Sequence, residues 1–162
     1  MSWREAFLRQ ARSENEIRRL LNKPNVKYSH RLHYLQMVTE KLAKAGLANP
    51  SDTDSPKTSH NAFVRYLQTL KGRAFTQRQL GYASRKAYRK FIDSILPQAH
   101  EIERLAPSVA AMTQPNPEYP WRDPRTGDIS APADYDFPEL DPLRSDMLKI
   151  EKMIEQLLVV LT

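Results

Sequence analysis

Histidine can act as acid, base and metal ligand near neutral pH, and this sequence has four. His30 and His33 stand one helical turn apart and could share a metal, but no third histidine or suitably spaced carboxylate accompanies them. Polar residues at a helix start account for the pair equally well, so no metal and no cofactor are expected. His60 follows Lys57-Thr58-Ser59 at an expected helix start, where free N–H groups and the helix dipole favour an anion. A capping role explains it too. Should the chain cleave RNA, His60 and Arg65 are the candidate catalytic residues. His100, beside Glu101 and Glu103, reads as part of a solvated ion-pair face. There is no cysteine, which excludes disulfides, thiolate metal sites and cysteine nucleophiles. The glycine-rich phosphate loops, the zinc-protease pattern and the nucleophile elbow are also missing, and four glycines could hardly build a phosphate cradle.

A different pattern stands out after residue 70. Arg85-Lys86-Ala87-Tyr88-Arg89-Lys90 is preceded by Lys71, Arg73 and Arg78 and interleaved with Phe75 and Tyr82. Cations hold a phosphate backbone and neighbouring aromatic rings stack unpaired bases, a combination suited to single-stranded RNA. Together with Lys57 and His60, these cations are the candidate anion-binding residues. An ordinary solvated basic face is the alternative. The charge is also polarised along the chain. Residues 1 to 105 carry 20 Lys/Arg against 9 Asp/Glu, a balance of +11, whereas residues 106 to 162 carry 5 against 10, a balance of −5. The N-terminal part thus generates a positive field that attracts phosphates, and the C-terminal part could cover it or face away.

Helices must position these side chains. With 162 residues, 40% apolar and 27% charged, the sequence has the size and composition of one globular domain with one core. Trp3, Phe7, Ala11, Ile17, Leu20 and Leu21 recur at helical intervals, and Asn22-Lys23-Pro24-Asn25 breaks that first helix. A second helix is expected after Ser29 as N-cap, through Leu32, Leu35, Val38, Leu42 and Ala45 to Gly46, antiparallel to the first. Residues 48 to 58 read as an exposed loop. A third helix over about 59 to 71 presents Phe63, Tyr66, Leu67 and Leu70. A fourth, from about Ser84 to Leu105, turns Ala87, Tyr88, Phe91, Ile95 and Ile102 inward and kinks at Pro97. Seven prolines fall between Pro107 and Pro138, yet Tyr119, Trp121, Tyr135 and Phe137 favour an ordered excursion over a disordered linker. The last helix is expected from Asp141 as N-cap through Leu143, Met147, Ile150, Ile154, Leu157 and Leu161, a heptad-like seam that closes the core or forms a dimer contact. The fold class is therefore all-α: an antiparallel four- to five-helix bundle over residues 1 to 162, with an irregular Pro-rich excursion over 107 to 140. No apolar run reaches membrane-spanning length. The opening Met1-Ser2-Trp3-Arg4-Glu5 lacks the pattern of a secretory leader, so a cytoplasmic location is expected.

The second helix, Arg31-Leu32-His33-Tyr34-Leu35-Gln36-Met37-Val38-Thr39-Glu40-Lys41-Leu42-Ala43-Lys44-Ala45, resembles that of HEPN proteins. In that family the corresponding helix carries Gln, Glu-Lys and Lys-Ala at the spacing held here by Gln36, Glu40, Lys41, Lys44 and Ala45. A variable loop follows in the family and closes on Lys-Thr-His; here it closes on Lys57-Thr58-Ser59-His60, one residue longer. Glu118-Tyr119-Pro120-Trp121 is similar to the family's Arg-Tyr-Pro element without its arginine. The resemblance covers about residues 1 to 70 well and the remainder loosely. It implies a bundle that forms homodimers, commonly in toxin-antitoxin pairs with a small nucleotidyltransferase, or acts as a metal-independent endoribonuclease. Nuclease members place an arginine a few residues before their histidine, and no arginine stands five to seven positions before His30, His33, His60 or His100. The expected function is accordingly a non-catalytic HEPN-like module that binds RNA, a nucleotide or a protein partner. The alternative is an endoribonuclease with an atypical site.

Overall fold

The computed structural model describes residues 1–49, 61–106, 108 and 113–161. Among them are six α-helices: α1 (Trp3–Leu20), α2 (Tyr28–Leu47), α3 (Ala62–Leu70), α4 (Ala74–Gln79), α5 (Arg85–Arg104) and α6 (Ser145–Val160). A two-residue antiparallel ribbon, β1 (Trp121–Arg122) with β2 (Ile129–Ser130), and two short 3-10 turns precede α6. The architecture is an all-α bundle. Helix α2 is its centre, packed against α1, α3 and α5, while α6 lies against α5 and α1.

Local chemistry explains most boundaries. Ser2 and Glu5 form a capping box at the start of α1: Ser2 Oγ accepts from Glu5 N at 3.2 Å, and Ser2 N donates to Glu5 Oε2 at 2.8 Å. Ser84 caps α5 by accepting from Ala87 N at 3.1 Å. Helix α2 starts at Tyr28, two residues earlier than a Ser29 cap would allow, and Ser29 is buried within its first turn. Gly46 belongs to the helix itself. The Tyr66 ring of α3 fills the place where its Cβ would stand, with Cδ2 2.7 Å from that position, so absence of a side chain lets the two helices approach.

The α2 stripe is dry, with Leu32, Leu35, Val38, Leu42 and Ala45 all buried. Along α5 the buried positions Tyr88, Ile92, Ile95, Ala99 and Ile102 alternate steps of four and three. One helix runs through Pro97, which sits on the exposed side. Ala87, expected inside, is exposed. In α6, Met147, Ile150, Ile154 and Leu157 are buried, as is Leu161 just after it, while Leu143 is 84% exposed ahead of the helix. The heptad-like seam thus closes the core of its own chain. Helix α6 begins at Ser145 rather than at Asp141, whose Oδ1 accepts from Leu143 N at 2.8 Å in the preceding turn.

Helix α1 departs most from the sequence expectation. Its buried face consists of Leu8, Ala11, Glu14, Asn15 and Arg18, whereas Trp3, Ile17 and Leu20 are exposed, Leu20 at 67%. The cause lies on α6. Arg18 meets Glu155 at 2.7 Å and Glu151 at 3.3 Å; Asn15 Nδ2 donates to both Glu155 oxygens at 3.0 Å, and its Oδ1 accepts from Arg18 Nε at 2.9 Å. Arg12 donates to the Leu158 carbonyl, and Arg19 also pairs with Glu155. Polar groups with this many partners can be buried, and the rotation that buries them turns part of the apolar stripe outward.

The Pro-rich excursion is organised by rings. Trp121, Tyr135 and Phe137 contact one another, Tyr135 edge-on to both of the others. Phe137 and Leu140 join the main core, and Tyr28 Oη donates to the Leu140 carbonyl at 2.7 Å. Phe137 adopts φ +49°, a left-handed conformation that costs an L-residue about 1–2 kcal/mol and is held here by burial of its ring.

Candidate anion-binding surface

Lys57 and His60 lie outside the described residues. Of the other cations singled out by the sequence, two have structural duties. Lys71 pairs with Asp93 of α5. Arg73 Nη2 donates to the Gly46 carbonyl at 3.1 Å, and its guanidinium lies over the Tyr66 ring, so it joins the end of α2 to the start of α4. Arg65, on α3, is exposed.

Arg78, Arg85, Lys86, Arg89 and Lys90 form the remaining group. All five are exposed, and none has an ion pair among the described residues. The helix places Arg85 above Arg89 and Lys86 above Lys90, each pair four residues apart, so the four line one face of the first two turns of α5. With Asp93 they border an open hollow of about 420 Å³. The first turn of α5 contains no acidic residue, so nothing there offsets the positive end of the helix dipole. Phe75 of α4 is 57% exposed, and Tyr82 in the α4–α5 connection stacks on Phe91 at 5.1 Å. Helix α4 itself, six residues within the basic stretch, is too short to show a full apolar period and was not expected from the sequence.

The histidines separate. His30 and His100 are exposed, whereas His33 Nδ1 lies 2.8 Å from Glu118 Oε1 with the Tyr34 ring edge-on beside it. That pairing joins α2 to the excursion, eighty-five residues away in sequence, and no local spacing reveals it. Glu118 is set by the buried Asn116, whose Oδ1 accepts from the backbone N of Glu118 and of Tyr119. Among the described residues no group of three or more His, Asp or Glu side chains is arranged to hold a metal.

Other ionised groups serve the framework. Burial acts to raise the Glu155 carboxyl, but hydrogen bonds from Arg19 and Asn15 and the charges of Arg18 and Arg19 outweigh it and hold the group below the usual carboxylate range. Glu40 is lowered in the same way, with Lys44, Lys41 and Gln36 overcoming burial. Glu103 goes the other way. Burial raises it despite the hydrogen bonds it accepts from Val64 N and Phe63 N at the start of α3.

No family model, no curated protein and no solved structure matches this chain. Among the described helices, none is long and apolar enough to cross a membrane.

Proposed function

We propose that this chain is a non-catalytic helical module of HEPN type that binds single-stranded RNA at the α4–α5 corner. One observation carries the reading: Arg85, Lys86, Arg89 and Lys90 share a helix face without a single neutralising ion pair among the described residues. Lysines and arginines that serve only solubility are commonly interleaved with acids, and here the carboxylate that borders the same hollow, Asp93, is taken by Lys71. Four cations at this spacing can follow consecutive phosphates, and the exposed Phe75 offers a ring to an unpaired base. The HEPN kinship adds homodimerisation and a small nucleotidyltransferase partner in a toxin-antitoxin setting, and cytoplasmic action accords with an RNA ligand. Reversing the four charges in R85E/K86E/R89E/K90E is expected to abolish binding of a fluorescent single-stranded RNA at least a hundredfold while leaving the circular dichroism spectrum unchanged. Undiminished binding by that variant would remove the proposal.

A second reading, the metal-independent endoribonuclease, is favoured by the His33–Glu118 pair. A carboxylate on Nδ1 fixes the tautomer and leaves Nε2 as a base. RNA incubated with excess protein in EDTA decides it: cleavage that disappears in His33→Ala supports this reading, and intact RNA ends it.

A further inference from the structure

Helix α3 starts without a cap of its own. Asn61 holds the N-cap position, but its side chain bonds none of the free amides that follow, and a helix of nine residues depends on its neighbours to stay in place. Glu103 on α5, forty residues beyond Phe63 in the chain, supplies the missing acceptor. Its Oε1 accepts from Phe63 N at 2.6 Å and from Val64 N at 3.0 Å, the two amides that an N-cap side chain ordinarily serves.

The same carboxyl is only half provided for. Glu103 Oε2 is closed to solvent and has no hydrogen-bond partner. Ionised, the group spreads its charge over both oxygens, so part of that charge lies dry and unpaired. Protonated on Oε2, it keeps the bonded Oε1 as acceptor and places a neutral hydroxyl in the dry position, which costs less. The charged groups on the adjoining elements do little to offset this. On α5, His100 lies one turn earlier and favours the ionised form, while Glu101 and Arg104 pair with each other. Helix α3 brings Arg65, which is exposed, and on α2 Lys41 and Lys44 are held by Glu40. Helix α6 and the turn before it bring Asp146 and Glu139, both paired with Arg144. Burial outweighs His100 and both amides, and the carboxyl lies above its ordinary range.

We propose that Glu103 is a pH-sensitive latch between α5 and α3: neutral, it holds the first turn of α3 in place, and ionised, it lets that turn open. The sign follows from linkage. A carboxyl whose folded value lies above the unfolded one contributes stability that is full below the unfolded pKa and is lost as the pH rises through the folded one, the opposite of Glu155. The loss is local, because opening the first turn of α3 is enough to return the carboxylate to water while the rest of the bundle stays closed. The latch does not depend on RNA binding.

Hydrogen exchange of the full chain followed by NMR tests it, read at the Phe63 and Val64 amides between about pH 4 and pH 8. Wild type is expected to lose protection at both amides by about threefold or more as the pH rises, while Leu35 and Val38 on α2 lose none. Glu103→Gln keeps an acceptor and cannot ionise, so its Phe63 and Val64 amides should lose none either. The carbon-13 shift of the wild-type Glu103 carboxyl should turn at a higher pH than that of a glutamate in an unfolded peptide. Protection that rises with pH, that stays level, or that falls equally in Glu103→Gln would each overturn the inference, as would a carboxyl that turns at or below the peptide value.

Discussion

Two residues show how closely this bundle is specified. Gly46 is required by contact rather than by a turn, since any Cβ there enters the Tyr66 ring. Gly46→Ala should therefore destabilise the chain by about 1–3 kcal/mol, although alanine favours helices, and a lowered urea midpoint checks it. Glu155 supplies a pH dependence. Its folded carboxyl lies below the unfolded value, so its contribution is full above the unfolded pKa and is lost as the pH falls through the folded one. Glu155→Gln is expected to flatten the loss of stability between neutral pH and about pH 3 in urea titrations, and an acid limb as steep as wild type would contradict this.

At the scale of elements, the informative case is α1 against α6. Periodicity locates α1 correctly but not the face it buries, because a count of apolar residues treats Asn15 and Arg18 as solvent-facing. Their burial depends on Glu151 and Glu155, more than 130 residues further along the chain, which no local pattern contains. Helix α6 is legible because its buried stripe is wholly apolar, and α2 because Leu32, Leu35, Val38, Leu42 and Ala45 keep helical spacing although Gln36, Thr39 and Lys44 are buried beside them. Helix α4 and the β1–β2 ribbon are not, being six and two residues long. The clamp makes its own prediction. Arg18→Met removes the guanidinium shared by Glu151 and Glu155 while Arg19 and Asn15 still hold Glu155, and should cost about 1–3 kcal/mol, whereas R18M/E155Q, which removes the charge but keeps an acceptor for Asn15, should lose less than the sum of the two single changes. A double-mutant cycle in chemical denaturation measures the coupling, and additive losses would show that the pair is not a unit.

For the whole molecule, the polarity of charge written in the sequence acquires a location. The excess of basic residues includes many already used for packing, such as Arg12, Arg18 and Arg73, and composition cannot tell these from the unengaged ones. Arg85 to Lys90 could be picked out as a basic run, but Lys71 and Arg73 looked equivalent to them until their partners were in view.

The central claim is that α5 presents its cations to a phosphate backbone, and salt dependence reads this out directly. Four phosphate contacts with a single strand imply a slope of log affinity on log salt of about −3, because each neutralised phosphate releases part of its counterion atmosphere. Fluorescence anisotropy of labelled single-stranded RNA across a salt series should give that slope for wild type. R85Q/K86Q/R89Q/K90Q should bring it close to zero. A wild-type slope near zero, or one that the four neutral substitutions leave unchanged, would contradict the account.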